Sequence, residues 1–305
     1  MAAYAQPYPS KPIHLIVPTP PGSTPDIVAR TLAAKLQGAF NQPVVVENRA
    51  GAGGNIAAEA VAKSVADGYT LFIGINGPVA INKYLYRSLP YDAEKDFAPI
   101  SLLASAPQML VVVPDLKLDT FKAFIDYARA NPGRISYGSV GSGSASHLTM
   151  ELLKSEAKIH MVHIPYRGFP PAVTDMLAAN IQAMFAIIPG VLPHVKAGKM
   201  KALAVTATNR SELAPDVPSV AELGYPQLES LAWIGLLAPA STPSDVLARL
   251  SQETVRAMTA TDVRELLGKQ GFDVVASSPG DFQRWITAES QKWARVIRTS
   301  GATAD

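Results

Sequence analysis

The sequence predicts an α/β protein of two lobes joined by two crossing strands. Three observations carry that expectation. The first hundred residues alternate apolar runs with helical patterns in the order strand–helix–strand–helix–strand, which builds a parallel sheet with right-handed crossovers. A second run of the same alternation begins at Gln108 and continues to Thr206. A chain of 305 residues is long enough for two cores.

Residues 13–17 (Ile-His-Leu-Ile-Val) read as the first buried strand, followed by the rigid loop Pro18-Thr19-Pro20-Pro21-Gly22-Ser23. Thr24-Pro25-Asp26 then opens a helix, with Thr24 as N-cap, Pro25 at the first helical position and an acid in the first turn. Ile27, Val28, Leu32, Leu36 and Phe40 supply its apolar face. Val44-Val45-Val46 is the second strand, and the Gly-rich turn 47–55 leads into an Ala-rich helix ending near Ala66. Asp67-Gly68 closes that helix, and residues 69–75 form the third strand. Asn76-Gly77-Pro78 leaves it at the sheet edge that also carries the 20–23 loop, where ligands of open α/β sheets sit.

The second lobe reads as strands at 108–113, 135–139, 162–164, 181–188 and 201–206, with helices at 120–130, 147–157, 171–179 and 192–197. Residues 233–238 return as a strand to the first lobe, and helices at 244–260, 261–270 and 281–300 finish the chain. The crossings fall near 102–107 and 230–233, forming a hinge beside a cleft. The expected division is therefore residues 6–104 with 233–305 against 105–232.

The run Tyr137-Gly138-Ser139-Val140-Gly141-Ser142-Gly143-Ser144-Ala145-Ser146-His147 couples a strand end, a Gly/Ser loop and a helix start. That order aims unpaired backbone N–H groups and the positive end of a helix dipole at one spot. The spot suits a phosphate or carboxylate. A linker or an ordinary strand–helix turn is the plain alternative, and the second helix start after Ser23 strengthens the anion reading. Tyr166-Arg167-Gly168 should emerge at the same edge, where Arg167 could hold a carboxylate in a bidentate fork or simply face solvent.

Composition excludes several classes. Hydrophobic residues make up 48%, charged residues 17%, and the formal net charge is +2, with no basic run for a nucleic acid. No apolar stretch approaches the roughly 18 residues that span a bilayer. Cysteine is absent, which removes thiolate chemistry and disulfides. There is no G-x-S-x-G elbow, no H-E-x-x-H and no phosphate loop ending in Gly-Lys-Ser/Thr. Gly51-Ala52-Gly53 and Gly141-Ser142-Gly143 begin like dinucleotide fingerprints, but the closing glycine is replaced by Ile56 and Ser146. His160 and His163 would face opposite sides of a strand and cannot share a metal. With His14 and His194 they read as ordinary core or surface histidines. Ser144 and His147 could form a catalytic pair, but no orienting third group is evident. No catalytic residue, metal or cofactor is expected. Met1-Ala2-Ala3-Tyr4-Ala5-Gln6 carries Ala-x-Ala then Gln, like the end of a cleaved signal peptide behind a starting Met.

At this point the chain resembles a known family, the periplasmic solute-binding proteins of the tripartite tricarboxylate transporters (TctC or Bug proteins), from about Pro12 to Ile297. The matching stretches include Val17-Pro18 with Pro21-Gly22 and Asp26, and Val44-Val45-Val46-Glu47-Asn48-Arg49 with Gly51-Ala52-Gly53-Gly54. Asp67-Gly68-Tyr69-Thr70-Leu71, Gly141-Ser142-Gly143-Ser144 with His147-Leu148, and Pro165-Tyr166-Arg167-Gly168 follow. Leu203-Ala204-Val205-Thr206, Val217-Pro218-Ser219 and Trp233 with Gly235-Leu236 complete the series.

The resemblance implies a type II, flytrap-like periplasmic-binding-protein fold that pinches a ligand carboxylate and delivers it to the membrane components of a transporter. Carried over, Pro21, Gly22, Ser23 and Asp26 form one pincer. Ser139, Gly141, Ser142, Ser144, Ser146 and His147 form the other, with Asn76 and Tyr166 lining the cleft. Two departures bear on the ligand: Thr19 stands where the family usually has an aromatic residue, and Ala186 where many members have Asp. Both point away from amino acids and toward a bulkier or flatter acid, such as an aromatic dicarboxylate of the terephthalate type. A periplasmic monomer that binds no nucleic acid is expected. The rivals are a hydrolase using Ser144 and His147 and a ligand sensor for a signalling partner.

Overall fold

A computed structural model describes residues 8–304; the signal-peptide reading of residues 1–6 lies outside them. In chain order the elements are β1 (Ile13–Val17), α1 (Thr24–Phe40), β2 (Val44–Asn48), α2 (Asn55–Ala62), β3 (Thr70–Ile75), α3 (Asn82–Leu85) and β4 (Phe97–Val112). There follow α4 (Phe121–Ala130), β5 (Ser136–Ser139), α5 (Ala145–Ala157), β6 (Val162–Pro165), α6 (Phe169–Leu177), β7 (Ala183–Ile187), α7 (Ile188–Lys196) and β8 (Lys201–Val205). The chain closes with β9 (Leu231–Pro239), α8 (Ser244–Met258), α9 (Thr261–Lys269), β10 (Asp273–Val274) and α10 (Pro279–Ser300). These elements fall into two compact units, residues 8–83, 87–105 and 233–290 in one, and 84–86, 106–232 and 291–304 in the other.

In the first unit β1 runs parallel to both β2 and β3, with Leu15 opposite Val46 on one side and Leu71 on the other. This is the parallel arrangement that the strand–helix alternation predicts. β9 joins β3 in the antiparallel sense, Phe72 opposite Leu237 and Ile75 opposite Ile234, so the returning strand lies where it was expected. The core beneath includes Ile16, Val61, Phe72, Trp233, Leu237 and Phe282. Burying a side chain of this size contributes about 1.5–3 kcal/mol. Gly235 makes room for Phe282: a Cβ there would lie 2.1 Å from the ring's Cζ.

In the second unit β5 is parallel to β6 and β7, Tyr137 lying opposite both His163 and Ala183. β4 pairs antiparallel with β7 and β8. Because β5 and β6 run in the same direction and in register up to Ser139 and Pro165, the chain leaves both at one edge. That edge carries the Gly/Ser loop and Arg167.

Several boundaries differ from the sequence expectation. The N-cap of α1 is Ser23 rather than Thr24, and Pro25 falls within the first turn. α2 stops at Ala62 rather than near Ala66. Residues 108–112 are the last part of one 16-residue strand, β4, and Val113 lies just beyond it. α6 and α7 each begin earlier than expected, at Phe169 and Ile188, because prolines in the first turn forfeit only amides that a helix start leaves unpaired anyway. No helix among the described residues is long and apolar enough to cross a membrane.

Candidate functional site

The loop between β5 and α5 is folded tightly on itself. Gly141 and Gly143 have φ of 134° and 77°, values that favour residues without a Cβ. Ser144 is the N-cap of α5, its side chain accepting from the His147 amide at 3.3 Å. The Ser144 hydroxyl donates to the Gly141 carbonyl at 2.6 Å. Four further amides are bonded within the loop: Val140 donates to Ser146 Oγ at 3.1 Å, Gly141 to Ser139 Oγ at 3.2 Å, Gly143 to His147 Nδ1 at 3.2 Å and Ser144 to the Gly141 carbonyl at 3.1 Å.

The expectation of a run of free amides is therefore narrowed. An unpaired buried N–H costs about 1–3 kcal/mol, so the loop satisfies most of its donors internally. Ser142 keeps its amide and hydroxyl free of partners among the described residues, and the first-turn amides of Ala145 and Ser146 have none either. Among the described residues these open donors lie together at the start of α5.

Behind this loop lies a buried ionisable cluster. The His147 and His163 rings stack with centroids 3.9 Å apart and planes 11° apart, and Tyr137 stacks on His163 at 4.9 Å. His163 Nε2 lies 2.7 Å from Ser139 Oγ. The Tyr137 hydroxyl bonds Glu151, which also pairs with Lys154 at 2.6 Å. Burial pushes the His147 imidazole down to about 4, aided by the Lys154 charge. Burial likewise lowers His163, to about 3, with the His147 ring as the next cause. Burial, then Glu151, drives the Tyr137 hydroxyl well above its ordinary value.

Ser144 and His147 do not form a nucleophile–base pair. The Ser144 hydroxyl is directed to a carbonyl, the His147 Nδ1 is occupied by the Gly143 amide, and the contact between the two residues is backbone to hydroxyl. A hydrolase needs the base in hydrogen-bond reach of the nucleophile, and here the imidazole is committed elsewhere.

At the neighbouring strand end the Tyr166 amide donates to the Ser139 carbonyl at 3.0 Å. Its hydroxyl donates to Asp175 at 2.6 Å and is pushed up to about 12 by burial and by that bond. Arg167 is exposed and makes no hydrogen bond or ion pair among the described residues. An unpaired guanidinium thus stands at the edge that carries the Ser142 donors.

The first unit has its own loop, held from behind. Thr19 Oγ1 and Ser23 Oγ lie 2.6 Å apart, and Gly22 takes φ of 79°. Asp26 is 2% exposed and accepts from the Gly22 amide at 2.9 Å, Arg30 Nε at 3.0 Å and Asn48 Nδ2 at 2.8 Å. Asn48 Nδ2 also reaches the Thr19 carbonyl. Burial would raise the Asp26 carboxyl, but the bonds from Arg30, Gly22 and Asn48 prevail and hold it below the usual range. Asp26 is thus an anchor for the loop, while Pro21 and Gly22 form its exposed tip.

Asn76 is buried and bound to its surroundings. Its Oδ1 accepts the Trp233 amide at 3.0 Å, and its Nδ2 donates at 3.3 Å to Glu289, which also accepts Trp233 Nε1. Ala186 lies opposite Met109 and belongs to the apolar cluster of the second unit, with Met184, Ile188 and Val205.

Sequence reasoning missed His163, Asn48 and Glu151. Ser139 and His163 are 24 residues apart, and Asp26 and Asn48 are 22 apart; no local pattern signals either contact. Parallel pairing of β5 with β6, which sets Tyr137 beside His163, was the one cue available.

Residues 28–302 match the tripartite tricarboxylate transporter family receptor profile. The chain is 41% identical over 301 residues to protein BugT of Bordetella pertussis, covering 98% of this chain and 92% of that protein. Among solved structures it is similar to Rpa4515 of R. palustris with adipate (TM-score 0.88, 34% identity, covering 97% of this chain and 99% of that one). It is also similar to MatC from Rhodopseudomonas palustris with bound malate (TM-score 0.86, 30% identity, covering 95% and 100%).

Proposed function

The chain belongs to the tripartite tricarboxylate transporter receptor family, and on that premise we propose that it captures a small dicarboxylate in the periplasm and delivers it to the membrane components of such a transporter. The observation that carries the reading is the donor patch of Ser142, Ala145 and Ser146 with the unpaired Arg167 at the same sheet edge. Those groups offer hydrogen bonds and one positive charge to a carboxylate without a competing internal acceptor. The adipate and malate in the two similar structures support the choice of a dicarboxylate. In the first unit, Asp26 holds the exposed Pro21–Gly22 tip beside Thr19 and Ser23.

The energies are sufficient. Hydrogen bonds to a charged group contribute about 1.5–3 kcal/mol each, and a helix N-terminus adds about 0.3–1 kcal/mol. Three such bonds bring the total close to the roughly 8 kcal/mol of a micromolar complex. The finer reading, an aromatic dicarboxylate of the terephthalate type, rests on Thr19, because Ala186 is taken up by the apolar cluster.

Titration calorimetry of Arg167→Ala tests the proposal. Loss of the guanidinium should weaken dicarboxylate binding roughly tenfold, about 1.4 kcal/mol; unchanged affinity would remove Arg167 from the site.

A further inference from the structure

We propose that His163, acting through Ser139, is a positioning residue that shapes the carboxylate loop from behind and so leaves the Ser142 amide as the outward donor. The inference rests on the carboxylate reading of that loop, and goes beyond it by assigning work to a histidine that touches no proposed ligand group.

The geometry is a pair of parallel relays. Ser139 Oγ accepts the Gly141 amide at 3.2 Å and lies 2.7 Å from His163 Nε2, to which it donates its own proton when Nε2 is unprotonated. His147 Nδ1 accepts the Gly143 amide directly at 3.2 Å. Two stacked rings thus end, through lone pairs, on the two amides that flank Ser142. Those amides belong to the two glycines with positive φ in the loop, so the relays fix the turn's most permissive positions. With its neighbours held, the amide of Ser142 is left without an internal acceptor.

The relay needs His147 Nδ1 and His163 Nε2 to be unprotonated. A proton on His147 Nδ1 would face the Gly143 N–H donor to donor. A proton on His163 Nε2 would turn the Ser139 hydroxyl proton away from the ring and reverse that bond. Two charged rings 3.9 Å apart would also repel. The ionisable groups facing the pair are Tyr137 on β5 with Glu151 and Lys154 on α5, and Glu151 is already bonded to both. Burial disfavours the charged form of each ring.

The test uses the full chain, freed of ligand, as wild type, His163→Phe, His163→Gln, Ser139→Ala and the double variant of His163→Phe with Ser139→Ala. Phe keeps the ring stack and loses the lone pair, Gln keeps an acceptor, and Ser139→Ala is the smaller cut should Phe disturb folding. Two quantities are read: residue-resolved hydrogen exchange at Gly141 and Gly143 without ligand, and calorimetric affinity for adipate. We expect Gly141 exchange to rise about tenfold or more in His163→Phe and in Ser139→Ala, with the double variant no worse than either. Adipate affinity should fall about tenfold, and Gln should restore much of both. Unchanged Gly141 exchange in both single variants overturns the inference. So does faster exchange with undiminished affinity, which would make the relay structural only. Failure of wild-type protein to bind any carboxylate would instead count against the binding reading, and the Gly141 exchange rates alone would then uphold or overturn the relay.

Discussion

Mild acid should destabilise this protein through its buried imidazoles before most carboxylates titrate. The His147 ring has an ordinary value of 6.5 and is pushed down to about 4 by burial. Above 6.5 both the folded and unfolded chains hold it neutral. Between 6.5 and about 4 the unfolded chain takes up a proton that the folded chain refuses, so stability falls with pH across that window and the loss levels off below it. At about 1.4 kcal/mol per pH unit, the loss from this ring approaches about 3 kcal/mol. His163 is lowered by burial in the same direction and adds to it. The paired carboxylates Asp26, Asp175 and Glu222 are held below their usual values, so their contributions are lost lower on the pH scale.

The assay is urea unfolding across the range from about pH 7 to about pH 4.5, on wild type and His147→Gln. Glutamine can accept the Gly143 amide but cannot titrate. The variant should lose about 2 kcal/mol less than wild type over that range. Parallel stability curves for the two proteins would refute the reasoning, because the His147 ring would then titrate alike in both states.

Two further substitutions probe the loops. Asp26→Ala removes the acceptor shared by Gly22, Arg30 and Asn48 and should cost about 2 kcal/mol, less than a fully buried ion pair since Arg30 is half exposed; a denaturation curve reads it, and ligand affinity should fall with it. Gly143→Val forces a branched side chain into φ of 77° at a cost of about 1–2 kcal/mol. Calorimetry should show carboxylate affinity reduced roughly tenfold.

The architecture was legible where apolar periodicity and turn chemistry agree. The strands at Ile13, Val44 and Thr70, and the return at Trp233, all stand in the sheet as the sequence implies. The first half of β4 was hidden because Pro99 interrupts Phe97-Ala98-Pro99-Ile100, and a proline argues against a central strand. The first turn of α7 was hidden because Ile187 and Ile188 prolong an apolar run, although Pro189 already stands in a helical first turn. The site divides similarly. The Gly/Ser run, the Ser144 cap and Arg167 are local features and could be read. Which amides the loop spends on itself, and that Asp26 and Asn76 face inward to Arg30, Asn48, Trp233 and Glu289, depends on contacts between distant segments. Residue order alone does not encode those distances.

The proposed function is that of a carboxylate receptor. Titration calorimetry of ligand-stripped protein against succinate, adipate, malate, citrate, aspartate, benzoate, phthalate and terephthalate tests it most directly. A carboxylate receptor gives saturable binding of at least one dicarboxylate with a Kd of about 1 μM or tighter, weakened in Arg167→Ala and Gly143→Val. Heats of dilution alone across every acid would contradict it.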